Sequence, residues 1–474
     1  MKVGLLPLYL ELYDRRLPEL RAEVETLVAR VADGLRACGL EVQPGAVCRL
    51  SPEVAGAVRG FEAAGCRAVV TLHLAYSPSL EAADALCATN LPLIVCDTTL
   101  SPAFGYDAPV RRILTDHGIH GVMDLCSVLR RRGKPFAVVA GASGGDSGPP
   151  FFSRVARACR SAVAGAALRG LRVLRIGKTF AGMGDFDVGD DLLRTRLGWD
   201  VAEISAADLA AIPVSQANVQ AELHADALRW PITADPDCHA RTARMGLRVR
   251  TALRSARAAA FSFNFQSFDG VAMDGGCAVP FLEAGKAMER GIGYAGEGDV
   301  LTAGLVGALL QAFGGDSVTF CEIFCPDWAG DSLFLSHMGE VNPAVLVPGT
   351  AELIRKPYPW GDAADPAIVV GALRPGLATL VDLTLGPDGF ELIASDVTVL
   401  ADATDPDMRR QVRGWIRPAI GAARFLEHYS LAGGTHHHAL VWGVSAAEIR
   451  AMSRFAGVGF VEIKSAPADT KENP

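Results

Sequence analysis

The feature that most restricts the fold of this chain is an alternation of short apolar runs with longer amphipathic stretches over its first 140 residues. The runs have the length and β-branched content of strands, and the stretches between them carry apolar residues at helical spacing. The runs lie at residues 3–6, 67–74, 91–96 and 136–140, and the helical stretches at 17–40, 52–64, 80–88 and 120–132. This alternation predicts a parallel sheet covered by helices on both faces, with ligands at the carboxyl ends of its strands.

The pattern repeats once and then changes. A second α/β pattern starts at residues 171–176 and continues to a helical stretch at 301–313, whereas from residue 317 onward strand-like runs alternate with Gly, Pro and Asp turns. At about 150 residues per domain, 474 residues should form about three domains. We therefore predict two parallel-sheet α/β domains, at 1–168 and 169–315, and a β-rich antiparallel domain at 316–474.

Composition excludes several classes of protein. The 53 acidic and 45 basic residues give a net charge of −8, which offers no general attraction to nucleic acid or anionic membranes. No apolar run approaches the ~20 residues that cross a bilayer, and the N-terminal run lacks the features of a signal peptide. The 11 scattered cysteines contain no C-x-x-C pair and are typical of a reducing compartment. We expect a cytoplasmic protein without nucleic-acid or membrane partners.

A glycine-rich loop at residues 141–150 lies between a predicted strand and a predicted helix. Backbone amides at such a position can bind phosphate, but both the G-x-G-x-x-G spacing and a P-loop lysine are missing. A flexible loop is therefore the favoured interpretation. A nicotinamide-dependent dehydrogenase is disfavoured for the same reason, because no dinucleotide motif follows any predicted strand.

Four segments in the second half combine turns or strands with ionisable side chains. In the first, Glu297 lies between two glycines on a tight turn, and in the second, Glu322 interrupts an apolar strand. A buried carboxylate needs a cation, a proton or a hydrogen-bond partner. The other two segments supply His337 and the run His436–His438. Two carboxylates with two or more imidazoles form an oxygen and nitrogen donor set that suits a divalent first-row metal such as Mn²⁺.

Each segment also has a structural interpretation. Asp299 precedes a helical pattern and could be its N-cap, and a histidine at a strand end more often serves the fold than a ligand. The histidine run could be a solvated loop. Spacing alone leaves open whether the four segments converge.

These segments, in this order, resemble the L-arabinose isomerase family of the wider L-fucose/L-arabinose isomerase group. The similarity covers most of residues 170–445 and is only general over the first 140. The motifs that carry it are Gly293–Asp299 with Thr302-Ala303, Phe320-Cys321-Glu322, Ser336-His337-Met338 with Glu340-Val341, and Leu431-Ala432-Gly433-Gly434 with His436-His437.

The resemblance implies a metal-dependent aldose–ketose isomerase. It implies that Glu297, Glu322, His337 and His437 bind a divalent metal, usually Mn²⁺, and we assign Glu297 and Glu322 as the catalytic pair that moves the proton through an enediolate. It also implies two Rossmann-like α/β domains followed by a barrel-like C-terminal domain. The assembly implied is a homo-trimer or homo-hexamer in which N-terminal residues of one subunit complete the neighbour's active site.

The first third departs from the family pattern. The family's His-Gly-Gly-Arg-Glu-Phe-Gly stretch is represented here by Asp116–Asp124, which we align through His120-Gly121 without the Arg-Glu-Phe. We predict that four residues contact the monosaccharide, although the histidines of the first third could equally be a helix cap and a turn: His117, His120, Asp299 and His436. The sugar stays open among L-arabinose, L-fucose, D-arabinose and D-galactose, and a sugar-binding protein without catalysis is the alternative from another class.

Overall fold

A computed structural model describes residues 1–273, 275–402 and 407–464 of the chain. The chain forms two compact units, residues 1–166 and 167–474. The first unit contains one sheet and the second contains two. The division into three domains at 168/169 and 315/316 stays a prediction.

The first unit is a five-stranded parallel sheet in the order β2-β1-β3-β4-β5. The four predicted strands are present, and a short strand that we did not predict, β2, forms one edge. The central strands β3 and β4 are almost entirely buried, as expected for a sheet covered on both faces. The elements are β1 Lys2–Leu8, α1 Glu11–Arg16, α2 Leu20–Ala37, β2 Glu41–Pro44, α3 Ser51–Ala63, β3 Val69–His73, α4 Ser79–Ala88, β4 Leu93–Asp97, α5 Ile113–Asp116, α6 Ile119–Arg131, β5 Phe136–Ala140 and α7 Gly148–Ala167.

The second unit begins with a four-stranded parallel sheet in the order β7-β6-β8-β9. Strand β9 is therefore an edge strand, and its carboxyl end leads directly into the Glu297 turn. The elements are β6 Arg172–Ile176, α8 Asp190–Leu197, β7 Asp200–Ile204, α9 Ala206–Ala211, α10 Gln216–Ala227, α11 Pro236–Ala256, β8 Ala260–Phe263, α12 Phe281–Glu289, β9 Gly293–Gly296 and α13 Val300–Phe313.

Helix α13 is apolar on all sides and nearly every residue of it is buried. A helix with no polar face has to lie inside the protein, and α13 contacts both the small sheet and strands of the large sheet that follows. Its small residues permit the close approach: a Cβ at Gly304 would lie 2.2 Å from the Trp199 ring. Helix α13 thus joins the α/β part of this unit to its β-rich part.

The rest of the chain forms a nine-stranded sheet in the order β12-β13-β16-β11-β10-β17-β14-β15-β18. Strand β15 also pairs with β16, which closes a ring of six antiparallel strands and agrees with the barrel-like expectation. The sheet as a whole is mixed, because β13–β16 and β15–β18 are parallel. The elements are β10 Val318–Asp327, β11 Ser332–Ser336, β12 Glu352–Arg355, β13 Ala367–Ala372, β14 Gly376–Gly386, β15 Gly389–Val399, β16 Val412–Pro418, α14 Ala422–Leu431, β17 His437–Trp442, α15 Ala446–Ala456 and β18 Gly459–Glu462.

The predicted fold class, parallel α/β followed by a β-rich part, is confirmed. The glycine-rich segment 141–150 forms a loop with a short 3₁₀ turn that leads into α7. In the described ranges, no helix is both long and apolar enough to cross a membrane.

A buried ionic network connects α10, α11 and α12. Glu222 accepts hydrogen bonds from Arg250 Nη1 at 2.8 Å and from Lys286 Nζ at 2.7 Å. Burial by itself raises the pKa of Glu222, but these two cations outweigh burial and lower the pKa from 4.5 to about 2. A carboxyl whose pKa is lower in the folded chain stabilises the fold above its unfolded pKa, and that stabilisation disappears as the pH falls towards the folded value.

We therefore expect Glu222→Gln to lower the free energy of unfolding at pH 7 by about 1–3 kcal/mol. The difference from wild type should shrink as the pH falls from about 4.5 to 2, because the wild-type carboxyl is then being protonated. Denaturant unfolding at several pH values measures this. The exposed pair of Arg172 with Asp200 supplies the control: Asp200→Asn should have little effect at any pH. A deficit for Glu222→Gln that stays constant down to pH 2 would contradict the assignment.

Candidate functional site

Glu297 lies on a strained turn between β9 and α13. Its φ is +64°, in the left-handed region that costs a non-glycine residue energy, and Gly298 follows with a φ of +85°. The turn is held by backbone hydrogen bonds from Asp299 N–H to the Gly296 carbonyl and from Phe180 N–H to the Glu297 carbonyl, both at 2.9 Å. Strain concentrated at a carboxylate is typical of a functional position.

Strand pairing brings Glu322 and His437 together. In the antiparallel pairing of β10 with β17, Glu322 is directly opposite His437. On its other side, β10 pairs with β11 so that Glu322 is opposite Ser336, the residue before His337. Directly opposed residues have Cβ atoms about 5 Å apart, so the sheet places Glu322 beside His437 on one side and next to the residue that precedes His337 on the other.

The four predicted metal ligands converge. His337 Nε2 lies 3.6 Å from Glu322 Oε2, and His437 Nε2 lies 3.7 Å from Glu297 Oε2. Both distances are longer than a hydrogen bond. Donor atoms of Glu322, His337 and His437 lie within 4.8 Å of one another, and so do those of Glu297, His436 and His437. His437 belongs to both groups and links them.

Each of the two histidines is oriented by a buried carboxylate behind it. His337 Nδ1 is 2.7 Å from Glu340 Oε2, and Tyr294 Oη donates to the other oxygen of Glu340 at 2.8 Å. His437 Nδ1 is 2.9 Å from Asp299 Oδ2. Both Nε2 atoms are on the side of the ring away from the buried carboxylate, where that of His337 is near Glu322 and that of His437 is near Glu297. Nε2 of His437 is buried without a hydrogen-bond partner.

We predicted that Asp299 contacts the substrate, and the structure places its side chain behind His437. Its side chain is fully buried and accepts the Thr302 N–H at 2.9 Å, so it is the N-cap of α13 as well as the partner of His437. Burial raises the pKa of this carboxyl to about 7. The side chain therefore lies on the Nδ1 side of the His437 ring.

His436 lies between two carboxylates. Asp185 Oδ2 accepts its backbone N–H at 3.0 Å and its Nδ1–H at 2.7 Å, and its Nε2 lies 3.4 Å from Glu297 Oε2. Burial lowers the pKa of His436, but the bond to Asp185 outweighs burial and raises the pKa to about 10. Burial raises the pKa of Asp185, and the bonds from His436 bring it down to about 2. His438 points to the opposite face of β17, where it is buried against Tyr429.

A buried carboxylate fixes the loop before β17. Asp382 accepts the backbone N–H of Thr435 at 2.8 Å, the Thr435 hydroxyl at 2.9 Å and the Tyr429 hydroxyl at 2.9 Å. Tyr429 packs so closely on Gly434 that a Cβ there would lie 2.1 Å from the ring. The glycine before the histidine run is therefore required by contact with Tyr429.

His117 and His120 belong to the first unit. They line a cavity of about 350 Å³ at the carboxyl end of β4, together with Thr99, Phe104 and Asp116. His117 is held by Tyr13 Oη at 3.1 Å and by the Ile113 carbonyl at 2.6 Å, and its ring meets that of His120 edge-on at 5.5 Å. His117 and His120 are therefore in contact with each other within the first unit.

Sequence reasoning did not assign roles to several residues of the site. Glu340 lies in the same motif as His337, three residues after it, and that spacing could have indicated that the two side chains pair. Asp185 and Phe186 lie in the loop after β6, and the only hint was that this loop follows the carboxyl end of a parallel strand. Phe186 stacks on His437 with ring centroids 5.1 Å apart.

Comparison with known proteins agrees with this geometry. Residues 318–459 match the L-arabinose isomerase C-terminal domain family. The L-arabinose isomerases of Acidothermus cellulolyticus and Geobacillus kaustophilus are both 26% identical to the chain, over 84% of it and over 80% and 81% of their own lengths. The L-arabinose isomerase of Leuconostoc mesenteroides is 30% identical over 43% of the chain and 42% of its own length.

The chain is similar to the L-arabinose isomerases over most of its length. The resemblance inferred from the four motifs is thereby confirmed, and it extends beyond the matched domain over most of the chain. The matched domain contains Glu322, His337 and His437, while Glu297 precedes it.

The turn that carries Glu297 should not tolerate a side chain at Gly298. A Cβ there would lie 2.6 Å from the Thr179 Cα and 2.7 Å from the Lys178 carbonyl oxygen, which are backbone atoms. Gly182 has a φ of +93°, close to the +85° of Gly298, but a Cβ there would meet nothing within 4 Å. We expect Gly298→Ala to be less stable than Gly182→Ala by about 1–3 kcal/mol in denaturant unfolding. Equal losses would mean that backbone strain, and not this packing, accounts for the glycine.

Proposed function

We propose that the protein is a metal-dependent aldose–ketose isomerase that transfers a proton between C2 and C1 of an open-chain sugar through an enediolate. The observation that carries the proposal is the paired arrangement at the site: two histidines, each fixed at Nδ1 by a buried carboxylate, direct Nε2 towards Glu322 and Glu297. The names of the L-arabinose isomerase relatives support the reaction class.

The donor set fits a divalent metal. Glu297, Glu322, His337 and His437 would hold it, since they supply two oxygens and two nitrogens, and since Nε2 of His437 is buried without a partner. Backing of a ligand histidine by a carboxylate is a recurring feature of metal sites. When bound, the metal, for which we propose Mn²⁺, supplies Lewis-acid stabilisation of negative charge on the sugar oxygens.

Two carboxylates perform the proton transfer in this proposal. Glu297 and Glu322 come from different elements, the β9–α13 turn and the middle of β10, and both face the same space. One acts as the base at C2 and the other delivers the proton at C1, a contribution typically of about 10²–10⁴-fold. His436 lies beside Glu297 with about a third of its side chain exposed, which suits contact with a sugar hydroxyl.

The identity of the sugar is proposed only as a class. His117 and His120, around their own cavity in the first unit, are our candidates for hydroxyl contacts, and a homo-trimer or homo-hexamer in which they complete a neighbouring subunit's site is part of the proposal. We also propose that the protein acts in the cytoplasm. L-Arabinose is the first substrate to test, followed by L-fucose, D-arabinose and D-galactose.

Glu297→Gln and Glu322→Gln should each lower turnover by at least about 10²-fold, because each removes a group that accepts or donates the proton. Ketose formation from the four aldoses measures this, with the oligomeric state checked by size-exclusion chromatography. Glu289→Gln is the control, since Glu289, the last residue of α12, forms a surface ion pair with Arg229.

Wild-type turnover in either site variant would remove that carboxylate from the mechanism. If the wild-type protein is stabilised by a sugar against heat but forms no ketose from any of the four, a sugar-binding protein without catalysis replaces the isomerase.

The carboxylates behind the histidines should control metal affinity. We expect Asp299→Asn and Glu340→Gln to weaken Mn²⁺ binding by about 10–100-fold, because a neutral amide is a weaker acceptor for the histidine Nδ1–H than a carboxylate. Calorimetric titration of chelator-treated protein measures it. Glu283→Gln is the matched control: Glu283 is equally buried but pairs with Arg250 and Arg290, so its loss should lower stability and leave metal affinity unchanged. Unchanged affinity in both site variants would separate these carboxylates from metal binding.

A further inference from the structure

The loop between β6 and α8 contacts the site through two consecutive residues. Asp185 bonds to His436, and the ring of Phe186 lies parallel to that of His437, with an interplanar angle of 5°. Phe186 also meets the His436 ring at 5.4 Å and is only 2% exposed. The same loop donates the Phe180 N–H to the carbonyl of Glu297. One loop thus fixes both histidines and the backbone of the catalytic glutamate.

Asp185 holds His436 by two bonds to a single oxygen. Its Oδ2 accepts from the backbone N–H at 3.0 Å and from Nδ1–H at 2.7 Å, across a sequence separation of 251 residues. Because the main chain and the ring are both bound, the ring has little freedom to rotate. Its Nε2 is thereby directed at Glu297 Oε2, 3.4 Å away.

We propose that Asp185 is a positioning residue that acts through His436 to orient the carboxylate of Glu297 for proton transfer. The inference rests on the proposed isomerase function. A carboxylate that abstracts a proton from carbon must present one oxygen to the C–H bond, and misplacement by a fraction of an ångström lowers the rate. The His436 Nε2–H holds Oε2 of Glu297 from the side. The turn fixes the backbone of Glu297, but its side chain still has rotatable bonds. The carboxylate therefore needs a separate contact to hold its orientation.

The exposure of the pair separates this role from a structural one. Asp185 and His436 are each about 35% exposed, and ion pairs with that much solvent contact contribute little to stability. Loss of Asp185 should therefore leave the fold intact and change catalysis. Loss of a purely structural residue would instead lower stability, and catalysis would fall only as the fold is lost.

The experiment compares Asp185→Ala and Asp185→Glu with wild type. Asp187→Ala is the matched control, because Asp187 is an exposed residue of the same type in the same loop. We measure kcat and KM with L-arabinose, or with whichever of the four aldoses the wild type converts fastest, the Mn²⁺ content, the melting temperature, and the isotope effect on kcat with sugar deuterated at C2. Histidine labelled with ¹⁵N gives a readout independent of activity.

Asp185→Ala should lower kcat by about 10–100-fold, change KM by less than about threefold, and increase the isotope effect, because proton transfer becomes slower than the other steps. Its Mn²⁺ content and melting temperature should match those of Asp187→Ala. Asp185→Glu should recover part of kcat. In the ¹⁵N spectra, the slowly exchanging Nδ1–H of His436 should disappear in Asp185→Ala alone.

Three results would overturn the inference. One is an Asp185→Ala variant with wild-type kcat and isotope effect, and another is a loss of kcat that follows a fall in melting temperature or Mn²⁺ content. The third is an unchanged His436 Nδ1–H signal in Asp185→Ala. These differ from failure of the proposed function, in which the wild-type protein itself forms no ketose from any aldose and the inference fails with it.

Discussion

Asp299 joins the two sheets of the second unit through one buried side chain. It accepts the Thr302 N–H at the start of α13 and faces Nδ1 of His437 at the start of β17. Burial without compensation would be costly for a carboxylate, and burial raises its pKa to about 7. The Thr302 N–H at the helix N-terminus offsets part of that cost. The position of the site therefore depends on an interaction that also connects the α/β part of the unit to its β-rich part.

The other half of the site follows the same arrangement. Glu340 is fully buried with His337 on one oxygen and the Tyr294 hydroxyl on the other, and Tyr294 belongs to β9 while His337 follows β11. Burial raises the pKa of Glu340, but the bonds from His337 outweigh it and leave the pKa below its ordinary value. Both histidines are thus fixed by carboxylates that would be unstable in the interior without them. The imidazole nitrogens beside Glu297 and Glu322, in contrast, lie farther from the carboxylate oxygens, at 3.4–3.7 Å.

Much of the fold and the site could be predicted because the signals are local. Glycines around Glu297 indicated a turn, and a glutamate within the apolar run of β10 indicated a buried charge that needs a partner. Short edge strands such as β2 and β12 gave no usable periodicity and were missed, as was helix α14. Asp185 could not be predicted, because nothing in a glycine-rich loop indicates a partner 251 residues away. For Asp299, the alternative interpretation as a helix N-cap was correct. Its contact with His437 could not be predicted, because strand pairing sets the position of His437 and the sequence pattern does not specify that pairing.

The closed ring of six strands has a consequence for how the protein loses activity on heating. Strands β10 and β17 are internal members of the ring, each hydrogen-bonded on both sides, so neither can fray from an edge. Glu322 and His437 can separate only when the ring opens as a whole. Thermal inactivation should therefore be abrupt, with Glu322 and His437 held together until the cooperative transition of the surrounding strands.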